Sequence, residues 1–110
     1  MRSRKIRVAA MGVQARLGPG CGELMNVSLS GALVSLDHDV AVGSHWPLQM
    51  SGLDIRCEVI RCVMTSGPGQ PANRQQWLVA VEFADVSRDA AKALRILVAE
   101  MYERVGAARA

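Results

Sequence analysis

Residues 26–36 read Asn26-Val27-Ser28-Leu29-Ser30-Gly31-Ala32-Leu33-Val34-Ser35-Leu36, and they carry a change of phase. Val27 and Leu29 alternate on odd positions, whereas Ala32, Val34 and Leu36 alternate on even ones. Side chains of a strand switch faces at every residue. A core that holds both sets therefore needs a turn or bulge between them. Ser30-Gly31 is the place for it, because glycine supplies the backbone freedom the break requires. In this phase Val27 and Leu29 face the core, and residues 26 and 28 share the opposite face.

The strand pattern extends outward from this corner in both directions. On the N-terminal side it runs back through Leu24 to Gly22, and Gly18-Pro19-Gly20 marks a sharp turn before it. Val8 to Leu17 is the first candidate strand region. Ahead of it, residues 1–7 form a basic arm with Arg2, Arg4, Lys5 and Arg7, and no acid precedes Glu23. On the C-terminal side His38 to Ser44 is a loop, and Trp46 to Met50 is a short strand opening around Pro47. Ile55, Cys57 and Val59 alternate in one phase, and Ile60, Cys62 and Met64 in the other. This second shift predicts a bulge in a long strand that bends, with both sets reading as core. Gly67-Pro68-Gly69 and Pro71 place a hairpin loop within Ser66 to Asn73. Trp77, Val79, Val81 and Phe83 then alternate with Leu78, Ala80 and Glu82 as the last strand.

After that strand the period changes. Ser87 suits a helix N-cap, and Asp89 places a negative charge in the first turn, where the helix dipole favours it. Leu94, Leu97, Val98, Met101 and Val105 follow at spacings of three and four, the stripe of an amphipathic helix. Gly106 is placed to end it, giving a helix over 87–106. The stripe must bury against the open mouth of a barrel or against another chain.

The bulk numbers bound these readings. With 110 residues the chain makes one domain, 8–110, behind the arm 1–7. Half of it is hydrophobic but only 4% is aromatic, so aliphatic residues and six methionines fill the core. Five or six short strands followed by one helix give a mostly β fold: a small six-stranded antiparallel β-barrel with a C-terminal α-helix. The net charge of +3 is too mild to argue for DNA or RNA. Scarce aromatics also argue against single-strand binding, which stacks bases on aromatic rings. Three cysteines without paired spacing, no secretory segment and no apolar run of about 18 residues predict reduced thiols, no membrane span and a cytoplasmic setting.

Asn26-Val27-Ser28-Leu29-Ser30-Gly31 resembles the signature (D/N)-x-S-x-x-G of the PilZ family. A basic N-terminus before the first strand, and Val79-Ala80-Val81-Glu82-Phe83 before the helix, resemble that family too, so the likeness covers nearly the whole chain. It implies a PilZ-like barrel and a bacterial second messenger, cyclic di-GMP, as ligand. It further implies a non-enzymatic receptor that signals to a protein effector. Arginine forks pair with the O6 and N7 acceptors of guanine and with phosphate oxygens. The resemblance thus assigns Arg2, Arg4 and Arg7 to clamp the nucleotide, and Asn26, Ser28 and Gly31 to form the floor. The family's first motif, R-x-x-x-R, has no match in Arg2-Ser3-Arg4-Lys5-Ile6-Arg7-Val8, where no two arginines stand four apart. The alternative is therefore a PilZ-like interaction adaptor that does not bind the nucleotide.

Little else in the chain suggests chemistry. No nucleophile elbow, phosphate loop or acid/base pair is present, and Asp54, Glu58 and Glu82 are scattered among strands. His38 and His45, with Asp37 and Asp39, read as loop polarity rather than metal ligands. No cofactor is expected, and the oligomeric state is left open.

Overall fold

The computed structural model describes residues 8–9, 12–65 and 76–109. Along the chain run β1 (Val8–Ala9), β2 (Gln14–Leu17), β3 (Gly20–Val27), β4 (Gly31–Leu36), β5 (His45–Met50), β6 (Leu53–Met64), β7 (Trp77–Phe83) and α1 (Arg88–Arg109). Every pairing is antiparallel. β2, β5, β6, β7 and β4 follow one another from one side of β3 back to its other side, which closes a six-stranded barrel. The seventh strand, β1, adds two residues to the same edge of β3 as β2, with Val8 opposite Val27 and Ala9 opposite Asn26. The first strand region therefore splits into two pieces. Between them the Leu24 N–H donates to the Val13 carbonyl at 2.8 Å.

Alternation sends one set of side chains inside. Val59, Val81, Ala32 and Val27 lie side by side on four neighbouring strands, and all are buried. Leu24, Val34 and Val79 are buried in the next inward row. Leu94, Leu97 and Met101 of α1 join this same core, so the helix stripe is spent on the barrel. The Ser87 hydroxyl accepts the Ala90 N–H at 3.1 Å, as an N-cap should. The C-terminus differs from expectation. The helix passes through Gly106 to Arg109, because one interior glycine costs only about 1 kcal/mol against alanine. Val105, Ala107 and Ala108 around it can continue the helix.

Two bulges bend the wall. In β6 the register shifts between Val59 and Arg61, so Ile60 is the extra residue. The predicted bulge is present, but Ile60 and Met64 are exposed, and only Cys62 of that second set packs on the core. A bulged residue has no partner opposite it and turns away from the ladder. The other shift lies in β3 between Leu24 and Asn26, with Met25 as the exposed extra residue. The loop read within Ser66 to Asn73 lies outside the described residues.

Candidate functional site

The segment Asn26–Gly31 spans the turn between β3 and β4: Asn26 and Val27 end β3, Ser28–Ser30 make the turn, and Gly31 opens β4. β3 ends at Val27, and the Ser28 N–H donates to the Gly31 carbonyl at 2.9 Å. Ser28 is only 1% exposed and is the buried polar side chain of the described residues. Its Oγ accepts the N–H groups of Ser30 and Gly31, each at 3.2 Å. The hydroxyl donates to the Gly31 carbonyl at 3.3 Å. Buried backbone groups must be paired, and here one side chain pairs three of them. The turn is tied to the far strand as well, since the Phe83 N–H donates to the Ser30 carbonyl at 2.9 Å.

This geometry corrects the strand-based expectation for residues 26–29. Leu29 is 42% exposed rather than in the core, and Ser28 points inward rather than sharing an outer face with Asn26. The strand period does not continue past Val27, because the chain is already turning. Gly31 also has a different physical role from backbone freedom. A Cβ there would sit 2.3 Å from the Val81 carbonyl oxygen, so a hydrogen is all that fits where β4 meets β7. Its φ is not among the positive ones.

Asn26 is the outward member of the segment. It is half-buried and stands opposite Ala9 of β1 and Leu33 of β4. Its Oδ1 is buried and has no hydrogen-bond partner among the described residues. An unpartnered buried amide oxygen costs free energy, so among the described residues this atom is an acceptor still to be satisfied. Leu33 and Ala80 continue the same outer row, and Arg61 ends it on β6. Three strand spacings put Arg61 about 14 Å from Asn26 along the row. The neighbouring outer row is acidic, with Gly31, Glu82 and Glu58 side by side. His45 stands 3.7 Å from Glu58 at its end. An anion approaching Asn26 therefore meets the Arg61 row favourably and the Glu82 row unfavourably. Sequence reading passed over Arg61. Its signal was the alternation that resumes after the bulge at Ile60.

The remaining titratable groups have structural explanations. Burial pushes the Cys57 thiol up to about 12, which keeps it protonated and inert. The Asp37 carboxyl is held below its ordinary value, chiefly by the hydrogen bond with His38 at 2.9 Å and then by the Cys21 N–H at 2.9 Å. These contacts tie the loop after β4 to β3. Among the described residues no group of three His, Cys, Asp or Glu is placed to hold a metal ion. No described helix is long and apolar enough to cross a membrane. A groove of about 350 Å³ lies between α1 and the β5–β6 turn, and none of its lining residues belongs to Asn26–Gly31. Arg2, Arg4 and Arg7 lie outside the described residues.

A six-stranded closed barrel with one C-terminal helix and a serine-centred turn defines a known class of domain. The family model for the PilZ domain matches residues 6–100, and the chain belongs to the PilZ family, whose domains are receptors and adaptors. No curated protein matches the sequence. Solved structures similar in fold include these three. The PilZ domain of YcgR from Escherichia coli with c-di-GMP superposes with a TM-score of 0.73 at 13% identity, covering 96% of this chain and 95% of that one. YcgR of Escherichia coli in complex with c-di-GMP gives 0.72 at 12% identity over 98% of this chain and 49% of that one. The Bacillus subtilis inhibitor of motility, MotI/DgrA, gives 0.62 at 16% identity over 94% and 51%. The chain thus spans about half of each of the latter two.

Proposed function

We propose that this chain is a cyclic di-GMP receptor domain that changes its surface on binding and so signals to a protein effector, without catalysing a reaction. The observation that carries this reading is the Asn26 Oδ1, which has no hydrogen-bond partner among the described residues. The Watson–Crick edge of guanine offers N–H donors, and such a donor would satisfy the oxygen. Family membership supports the ligand class, and so does the c-di-GMP bound by the similar Escherichia coli domain.

The roles divide by chemistry. Asn26 reads the base edge. Arg7 directly precedes Val8 in the chain, and Val8 pairs with Val27 of the signature segment. Arg2, Arg4 and Arg7 supply guanidinium forks for guanine and phosphate. Ser28 and Gly31 act by shaping the turn that presents Asn26. Ordering of the arm over this face couples binding to a new surface, at some cost in affinity. As a reader of a soluble messenger, the domain would work in the cytoplasm.

Isothermal titration with cyclic di-GMP tests the proposal. Heat of binding is expected. Arg7→Ala should weaken it about tenfold or more, the loss of one bidentate guanine contact, whereas Arg56→Ala on the β5–β6 side should not. Neither heat nor chemical-shift change at high micromolar ligand would overturn it.

A second reading is favoured by one specific observation, the absence of two arginines four residues apart before Val8. It makes the domain an adaptor that contacts a protein and is blind to the nucleotide. The same titration separates the two.

A further inference from the structure

The apolar stripe of α1 is buried on the barrel, which leaves the opposite side of the helix to solvent. That side is not uniformly polar. Lys92, Ile96, Ala99 and Glu103 are all exposed, and they follow one another at spacings of four, three and four. At about 100° per residue they fall within a strip about 60° wide on the side of α1 turned away from Leu94, Leu97 and Met101, with Ile96 at the edge nearest the groove. Ile96 is 54% exposed, and one side of it borders the groove between α1 and the β5–β6 turn. The charges at the two ends of the strip have opposite signs.

We infer that this strip binds the same strip of a second copy of the chain, with the two helices antiparallel about a two-fold axis. In an antiparallel pair the positions that meet add to a constant. Here Ile96 meets Ala99 of the second copy, and Lys92 meets its Glu103. Both pairs are centred on the same point between Ile96 and Ala99. The two-fold axis repeats each contact, so two lysine–glutamate pairs flank a small apolar centre. Ala99 is small enough to let the backbones approach around Ile96. On one flank, Arg95 of one helix comes beside Tyr102 of the other, whose ring is 65% exposed and available for a cation–π contact.

The charge pattern also chooses the direction. A parallel pair would set Lys92 against Lys92 and Glu103 against Glu103, with like charges facing each other at both ends. None of Lys92, Arg95 and Glu103 forms an ion pair with another described residue, so pairing with a second copy breaks no ion pair among them. One helix face buries less than about 1,200 Å² in total, the range of weak and transient complexes. The dimer therefore forms at high protein concentration and weakens as salt screens its end pairs.

Sedimentation velocity of the full chain, from about 10 µM to about 1 mM, spans the affinities expected of such an interface. A monomer–dimer equilibrium is expected, shifting to monomer in high salt. Lys92→Glu and Glu103→Lys should each weaken it about tenfold, because each turns two attractive contacts into repulsive ones. The double variant K92E/E103K restores both pairs with reversed sign and should return to within about threefold of the parent. A chain that stays monomeric throughout overturns the inference. So does a double variant that remains as weak as the singles, since general damage to the helix would not be repaired by a second surface change.

Discussion

Two hairpin turns in this barrel solve the same problem by different means. The β5–β6 turn is two residues, Ser51-Gly52, with φ of 47° and 78°. Both central residues are left-handed, which matches the twist of the flanking strands and needs only a glycine or small polar residue. The turn between β3 and β4 uses no left-handed residue. It instead buries the Ser28 hydroxyl under the backbone and sets β4 on β7 through the missing side chain of Gly31. A generic turn ends when its backbone is satisfied. This one holds, beside a rigid inside, the buried amide oxygen of Asn26, which has no partner among the described residues, a group a ligand could satisfy.

Substitutions can break this contrast, and the largest effect is expected at Gly31. In Gly31→Ala the new Cβ meets a backbone carbonyl that cannot swing away, so unfolding in denaturant should show a loss of about 3 kcal/mol. Ser28→Ala leaves the Ser30 and Gly31 N–H groups without their acceptor, while the Gly31 carbonyl keeps the Ser28 backbone N–H, and should cost about 2 kcal/mol by the same measurement. Gly52→Ala has open space around it and pays only for the left-handed backbone, about 1 kcal/mol. If Gly52→Ala proved as costly as Gly31→Ala, the distinction between the turns would be lost. Asn26→Ala sharpens it most. It should leave stability within about 0.5 kcal/mol, because the oxygen removed has no described partner. It should nonetheless weaken cyclic di-GMP in titration calorimetry about tenfold, the scale of one well-placed base contact.

Much of the barrel was legible in the order of the residues. The odd-to-even shift across Ser30-Gly31 marked the corner, and the shift between Val59 and Ile60 marked the β6 bulge. Ser87 announced the helix. The same rule misled at Leu29, because alternation holds only while the strand lasts and Val27 is its last residue. The bulge at Met25 had a signal that was passed over: Leu24 and Val27 are both buried but three apart. Gly106 looked like a stop, and its neighbours carried the helix past it. At the site, the signature positions 26, 28 and 31 could be picked out by residue type, but their division of labour could not. A serine and an asparagine two apart look equivalent in a strand and are opposite in a turn.

By itself, then, the sequence determined the local grammar of this protein: which stretches alternate, where the alternation breaks, where a helix can begin, and that a basic arm precedes a PilZ-like signature. These depend on neighbours along the chain, and the period of a strand or helix records them. Only the tertiary structure decided that β3 pairs on both sides and so closes the barrel, and that Ser28 turns inward. It alone decided that Gly31 must be bare against Val81, and that Asn26 and Arg61 share an outer row. Those outcomes rest on which strand lies across from which residue. Cross-strand register is set by the packing of the whole core rather than by any stretch of sequence alone.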